Sequence, residues 1–184
     1  MAASVNLIGN TSLAASYAGG KLTLVMEGTE LAGVGLISQY NPTFSLPAEL
    51  KSLLSIPGAA DHITLDYKIP TLGFLGATLY EEGALTGGQL SIDSSTGIVT
   101  GSIAKFLSVS LGSTHTYTLT IDLAALGMVE LPPSPTGILN FQALLTDEIL
   151  LELDILNSNG ASATLGTSID DGDGDADADA DADA

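Results

Sequence analysis

The chain has 184 residues, with 22 acids, four lysines (Lys21, Lys51, Lys68 and Lys105), no arginine and no cysteine, for a formal net charge of −18. Such a field repels phosphate backbones and anionic bilayers, so nucleic acid and anionic membranes are not expected as partners. Without cysteine there is no disulfide, no thiolate metal site and no thiol nucleophile, and no apolar run reaches the length of a membrane-spanning helix.

Residues 4–9 make a weak strand candidate. Leu22, Leu24 and Met26 then recur at period two, the spacing of a half-buried strand. Residues 31–40 are a further weak candidate. One helix is predicted next, with Ser45 as its cap, Pro47 in the first turn, and Leu46, Leu50, Leu53 and Leu54 on one face. Pro57-Gly58 ends it. In residues 62–69, Ile63, Leu65, Tyr67 and Ile69 alternate with Thr64, Asp66 and Lys68. Residues 71–80 continue as a weaker strand.

Gln89 to Asp93, Ser94-Ser95-Thr96-Gly97 and Ile98 to Thr100 read as a hairpin with glycine at the turn. Residues 102–111 form another strand candidate. Residues 115–123 alternate cleanly, with Tyr117, Leu119, Ile121 and Leu123 against Thr116, Thr118, Thr120 and Asp122. Pro132-Pro133-Ser134-Pro135 cannot join a central ladder and marks an edge or a crossing loop. Residues 137–145 and 149–156 complete the set. The last of these also carries a helical pattern starting at Thr146-Asp147-Glu148, and the β surroundings favour strand.

Eight to ten short strands separated by Gly and Pro turns predict an all-β fold. It is an antiparallel two-sheet Ig-like sandwich over residues 1–169, with one short helix and a disordered acidic C-terminal tail over 170–184. A body of this length buries roughly 70% of its unfolded surface, enough to fold without staples.

From Asp170 the chain reads Asp-Asp-Gly-Asp-Gly, then Asp-Ala five times to Ala184. With no apolar side chain larger than a methyl to bury, this segment cannot offset an ordering cost of roughly 1–2 kcal/mol per residue. Like charges about 7 Å apart along an extended chain repel by about 0.6 kcal/mol per pair in water, which straightens it. Asp171, Asp173 and Asp175 have the spacing of an EF-hand, but Ala176 stands where glycine is needed and Ala182 where a bidentate glutamate is needed. At most this tail holds calcium weakly, and no other cofactor is expected.

The Asp-Ala run resembles the stalks of Gram-positive cell-wall-anchored adhesins, in which a folded domain precedes a long acidic repeat. Phe44-Ser45-Leu46-Pro47 and Thr120-Ile121-Asp122-Leu123 are similar to strand-to-loop segments of Ig-like surface domains in Firmicutes. The resemblance implies an extracellular, cell-wall-associated protein. Met1-Ala-Ala-Ser-Val-Asn-Leu lacks a basic or long apolar leader, and Leu131-Pro132-Pro133-Ser134-Pro135 is not a sortase motif. Signal and anchor are therefore expected outside this fragment.

No His-Glu-x-x-His, Gly-x-x-x-x-Gly-Lys, Gly-x-Gly-x-x-Gly or Gly-x-Ser-x-Gly pattern occurs. His62 and His115 each open a strand and read as surface residues. The pairs Glu81-Glu82 and Asp147-Glu148 have the chemistry of glycosidase carboxylates, but solvated loop charge is the ordinary explanation. An enzyme is not expected, and a hydrolase ranks last.

Lys105 shares parity with Ile103, Leu107, Val109 and Leu111. A lysine on a buried face must be paired, neutral or chemically used. The adhesin resemblance implies an internal isopeptide bond as one use, with Asn140 a candidate partner. A β-bulge at Lys105-Phe106 that exposes the side chain is the preferred reading.

The expected function is a surface-adhesin module. It binds a protein or neutral glycan on a host, matrix or neighbouring cell, or it serves as a spacer. The alternative is a self-assembling filament subunit in which Val5-Asn6-Leu7-Ile8 leaves its own sheet to complete a neighbour's. The loops 41–61 and 127–137 are the expected contact surfaces.

Overall fold

The computed structural model describes residues 7–30, 39–74, 77–104, 113–146 and 160–170. Eleven strands occur among them. They are β1 (Ile8–Ala18), β2 (Lys21–Glu30), β3 (Gln39–Ser45), β4 (Ile63–Phe74), β5 (Ala77–Thr86), β6 (Ser91–Asp93), β7 (Ile98–Thr100), β8 (Ile103–Ala104), β9 (Thr114–Asp122), β10 (Ile138–Thr146) and β11 (Ala161–Gly166).

Two antiparallel sheets face each other, as the alternation predicts. One is ordered β1-β2-β9-β4-β5; the other is ordered β11-β10-β3-β7-β6, with β8 also pairing with β3. The first places Leu22, Leu24 and Met26 of β2, Tyr117, Leu119 and Ile121 of β9, and Ile63 and Leu65 of β4 in the core. Tyr40 and Phe44 of β3, Val99 of β7, and Leu139, Phe141, Ala143 and Leu145 of β10 meet them from the second. Each large aliphatic side chain so buried contributes about 1.5–3 kcal/mol relative to exposure. Moving β9 by one residue would turn its apolar set to solvent, so the register is fixed.

The helical stretch is shorter than the leucine spacing predicts. α1 spans only Ala48–Lys51, followed by 3₁₀ turns at Ser52–Ser55 and Ala59–His62. Leu46, Leu50, Leu53 and Leu54 are all buried as expected. Ser45 is not the cap. It is the last residue of β3, held between Gln142 and Ile98, and Pro47 occupies the cap position without a side-chain bond. The ladder needs the Ser45 backbone, so the helix starts later.

The predicted hairpin forms at β6 and β7. Gly97 has φ +78°, a value that L side chains rarely adopt, and its N–H bonds to the Asp93 carbonyl at 2.8 Å. The Asp93 carboxylate accepts bonds from the Ser95 hydroxyl at 2.6 Å and the Ser95 N–H at 2.9 Å. These hold its carboxyl below the ordinary aspartate value.

Other boundaries differ from the reading of the sequence. The first strand runs over 8–18, not 4–9. Residues 71–80 divide between β4 and β5, which form one hairpin, and β11 falls in a stretch for which the sequence predicts no strand. Residues 41–45 are a central strand between β10 and β7, not part of an exposed loop. The candidates at 31–38, 105–111 and 149–156, and the acidic tail from Asp171, lie outside the described residues.

Candidate interaction surface

The antiparallel ladders give the sandwich two ends. At the first, the β1–β2 turn at Gly19-Gly20 accepts the Ala124 N–H, and the Tyr17 hydroxyl bonds to the Val129 carbonyl at 2.7 Å. The C-terminal segment is fastened there. Ser134 N–H bonds to the Ser168 carbonyl, Asp170 N–H bonds to the Ser134 carbonyl, and the Thr167 hydroxyl bonds to the Pro132 carbonyl at 2.7 Å. Ser134 and Ile169 form an isolated parallel bridge. The proline-rich segment is thus a crossing loop that clamps the chain as it leaves β11. Val129 and Ile169 are strongly exposed at this tail end.

At the opposite, distal end lies a buried polar cluster. His115, on β9, is wholly inaccessible to solvent, in phase with Tyr117, Leu119 and Ile121. This corrects the expectation of a surface histidine; His62 is exposed as expected. His115 Nδ1 lies 2.9 Å from the Tyr117 hydroxyl, and Nε2 lies 3.3 Å from Glu30 Oε2. The Tyr40 ring meets the imidazole edge-on, centroids 5.1 Å apart. Burial, with Tyr40 and Glu30 nearby, pushes the Tyr117 phenol well above its ordinary value, so it keeps its proton. With a neutral ring, Tyr117 donates to Nδ1 and Nε2 donates to Glu30; with a charged ring, both nitrogens donate. Either way the imidazole is satisfied. The cluster ties β9 to β2 inside the core at the distal end. Gly28, directly opposite His115 on the ladder, leaves room for the Ile8 side chain: a Cβ there would lie 2.7 Å from Ile8 Cδ1.

The β4–β5 hairpin also projects distally. β9 pairs with β4 only from Ile63 to Lys68, whereas β5 pairs with β4 on to Phe74. Tyr80 stands opposite Pro70, seven rungs beyond Ile63, or about 23 Å from the tail end. Leu79 is 51% exposed and Tyr80 40%. Lys68 Nζ sits 4.6 Å from the Tyr80 ring centroid and is directly across the ladder from Glu82. Glu81 and Glu82, read from the sequence as loop charges, are therefore strand residues in the middle of an edge.

A shallow groove of about 350 Å³ lies on the outer face of the second sheet, lined by Leu46, Pro47, Lys51, Thr96, Asn140 and Gln142. It has neither an aromatic platform nor paired carboxylates. Among the described residues, no three His, Asp or Glu side chains are grouped to hold a metal ion. Lys105 and Asp171, Asp173 and Asp175 lie outside the described residues, as do Asp147 and Glu148. Asn140 is exposed, and Leu7 and Ile8, the described part of the N-terminal apolar stretch, are buried in their own sandwich. Among the described residues no helix is long and apolar enough to cross a membrane.

No family model and no curated protein matches the sequence. Among solved structures, the chain is similar to a biofilm associated protein B domain, with 12% identity and a TM-score of 0.42. The similarity covers 86% of this chain and 42% of that one.

Proposed function

We propose that this chain is an extracellular adhesin-type module, a β-sandwich that binds a partner protein on another surface while an acidic stalk holds it away from its own. The polarity of the sandwich carries this reading. The chain is fastened at one end, where residues 167–170 lead into the Asp-Ala run, and the exposed Leu79 and Tyr80 lie towards the other. A tethered module needs its contact surface away from its tether. The two sheets supply a rigid scaffold, and the stalk resemblance supplies the setting.

The charge restricts the partner. Four isolated lysines and no arginine offer nothing to clamp sulfate or carboxylate groups bidentately. A basic or neutral protein surface fits, and an anionic glycan does not.

The full chain, immobilised through its C-terminus, is passed over a panel of matrix proteins and over heparin at physiological ionic strength. Retention of at least one protein and none of the heparin is expected. Heparin retention would overturn the electrostatic argument, and retention of nothing would leave a spacer.

A further inference from the structure

We infer that β5 is a docking edge for an extended, lysine- or arginine-bearing segment of a partner protein, which adds to the first sheet as a sixth strand. This rests on the adhesin reading and names the surface and the partner chemistry.

Sheet edges are where a sandwich can accept another strand, because one row of N–H and C=O groups faces outward. The two sheets have four edges. β1 and β11 lie against each other and close one side. β6 has only three residues. That leaves β5, ten residues long, at the end of its sheet, with no described element on its outer side. It carries no proline and no lysine, two of the usual devices that blunt an edge.

The side chains select the occupant. Leu79 and Tyr80 supply exposed apolar area at the distal half. Glu81 and Glu82 follow directly, and only Glu82 has a lysine across the ladder, Lys68, whose ammonium also faces the Tyr80 ring. Opposite Glu81 is Ile69. A second copy of this chain would bring another glutamate pair and another −18 of charge to the same edge. The glutamates thus discourage self-addition and favour a strand that carries positive charge, so attraction and repulsion both serve specificity.

The probe is a seven-residue peptide of alternating lysine and valine with blocked ends, titrated against the full chain. One control carries N-methyl groups on the valines, and another has glutamate in place of lysine. The lysine peptide is expected to bind, with amide shifts in the protein concentrated at residues 77–86. Replacing both acids (Glu81→Gln with Glu82→Gln) should weaken it about threefold, in line with the loss of one exposed ion pair, since the two glutamates lie on opposite faces of β5 and the peptide's lysines share one. N-methylation should abolish binding, since it removes the ladder donors.

Equal binding of the N-methylated peptide, shifts confined to residues 171–184, or no binding at all would each overturn the inference. So would association of the chain with itself through β5. If the glutamine variant still adheres to a matrix protein as the parent does, the edge is not the contact and the adhesin reading stands. If the peptide docks on β5 but no surface protein is retained, that reading fails and the edge remains.

Discussion

His115 Nε2 lies 3.3 Å from Glu30 Oε2, and both side chains are buried between the sheets. Removing one member of a buried polar pair leaves the other without compensation, which costs more than the pair itself contributes. His115→Ala should therefore lower stability by about 3 kcal/mol, through the lost contacts and the glutamate left behind. Urea unfolding of the two proteins at neutral pH checks this. A loss below about 0.5 kcal/mol, typical of a surface position, would show that the cluster does not anchor the distal end.

The raised Tyr117 phenol makes stability depend on alkaline pH. In the unfolded chain a tyrosine ionises near pH 10. In the folded protein Tyr117 keeps its proton to higher pH, so above about pH 10 the folded state holds more protons than the unfolded one. The contribution is complete below the unfolded value and is lost as pH rises towards the folded one, at up to about 1.4 kcal/mol per pH unit. Tyr117→Phe should flatten that decline. Denaturant unfolding at about pH 8 and pH 11 separates the two proteins, and parallel curves would count against a buried, protonated phenol.

The C-terminal segment should divide sharply in its effect on stability. Deleting 171–184 removes seven acids, taking the net charge from −18 to −11, and should leave the melting temperature almost unchanged. Deleting 167–184 also removes the bonds of Thr167, Ser168 and Asp170 to the Leu131–Ser134 loop. At about 1 kcal/mol for each bond, that loss should lower the melting temperature by about 5–10 °C. A large drop from the shorter deletion, at fixed ionic strength, would mean that the acidic run docks on the body or binds an ion there.

The strands that could be read from the sequence are those that bury a single face in large side chains. β2, β4, β9 and β10 alternate because one side of each meets the core. β11 escaped because Ala161–Gly166 contains mostly small residues and is half-buried or exposed throughout, so burial leaves almost no hydropathic trace. The buried cluster was legible in part. His115 shares parity with Tyr117 and Leu119, and Glu30 shares it with Leu22, Leu24 and Met26, so period two alone places both inside. What the pattern could not show is that two polar residues from different strands would meet there and satisfy each other. The edge at β5 was hidden for another reason. Its place at the margin comes from sheet order, which depends on crossovers between distant strands, and Glu81-Glu82 in an exposed strand looks locally like loop charge.

The direction of the terminal strands predicts how a stalked module would respond to pulling. β1 begins at the distal end, where the Leu7 N–H bonds to the Leu145 carbonyl, and runs towards the tail end; β11 runs the same way in the other sheet. Force applied between residues 7 and 170 therefore acts along both strands. The β1–β2 ladder extends from Ile8–Glu30 to Ala18–Lys21, and its bonds lie across the strands. Pulling along the axis loads these rungs together, so many must break at once. Pulling between Gly19, at the β1–β2 turn, and residue 170 draws on two points at the same end and opens the rungs one after another. Single-molecule extension should show a clearly higher unfolding force for the 7–170 attachment than for 19–170, with the difference set by the unfolding barrier along each direction. Equal forces would mean that the terminal strands do not carry the load. In that case the end-to-end arrangement would give this sandwich no mechanical advantage as a tethered module.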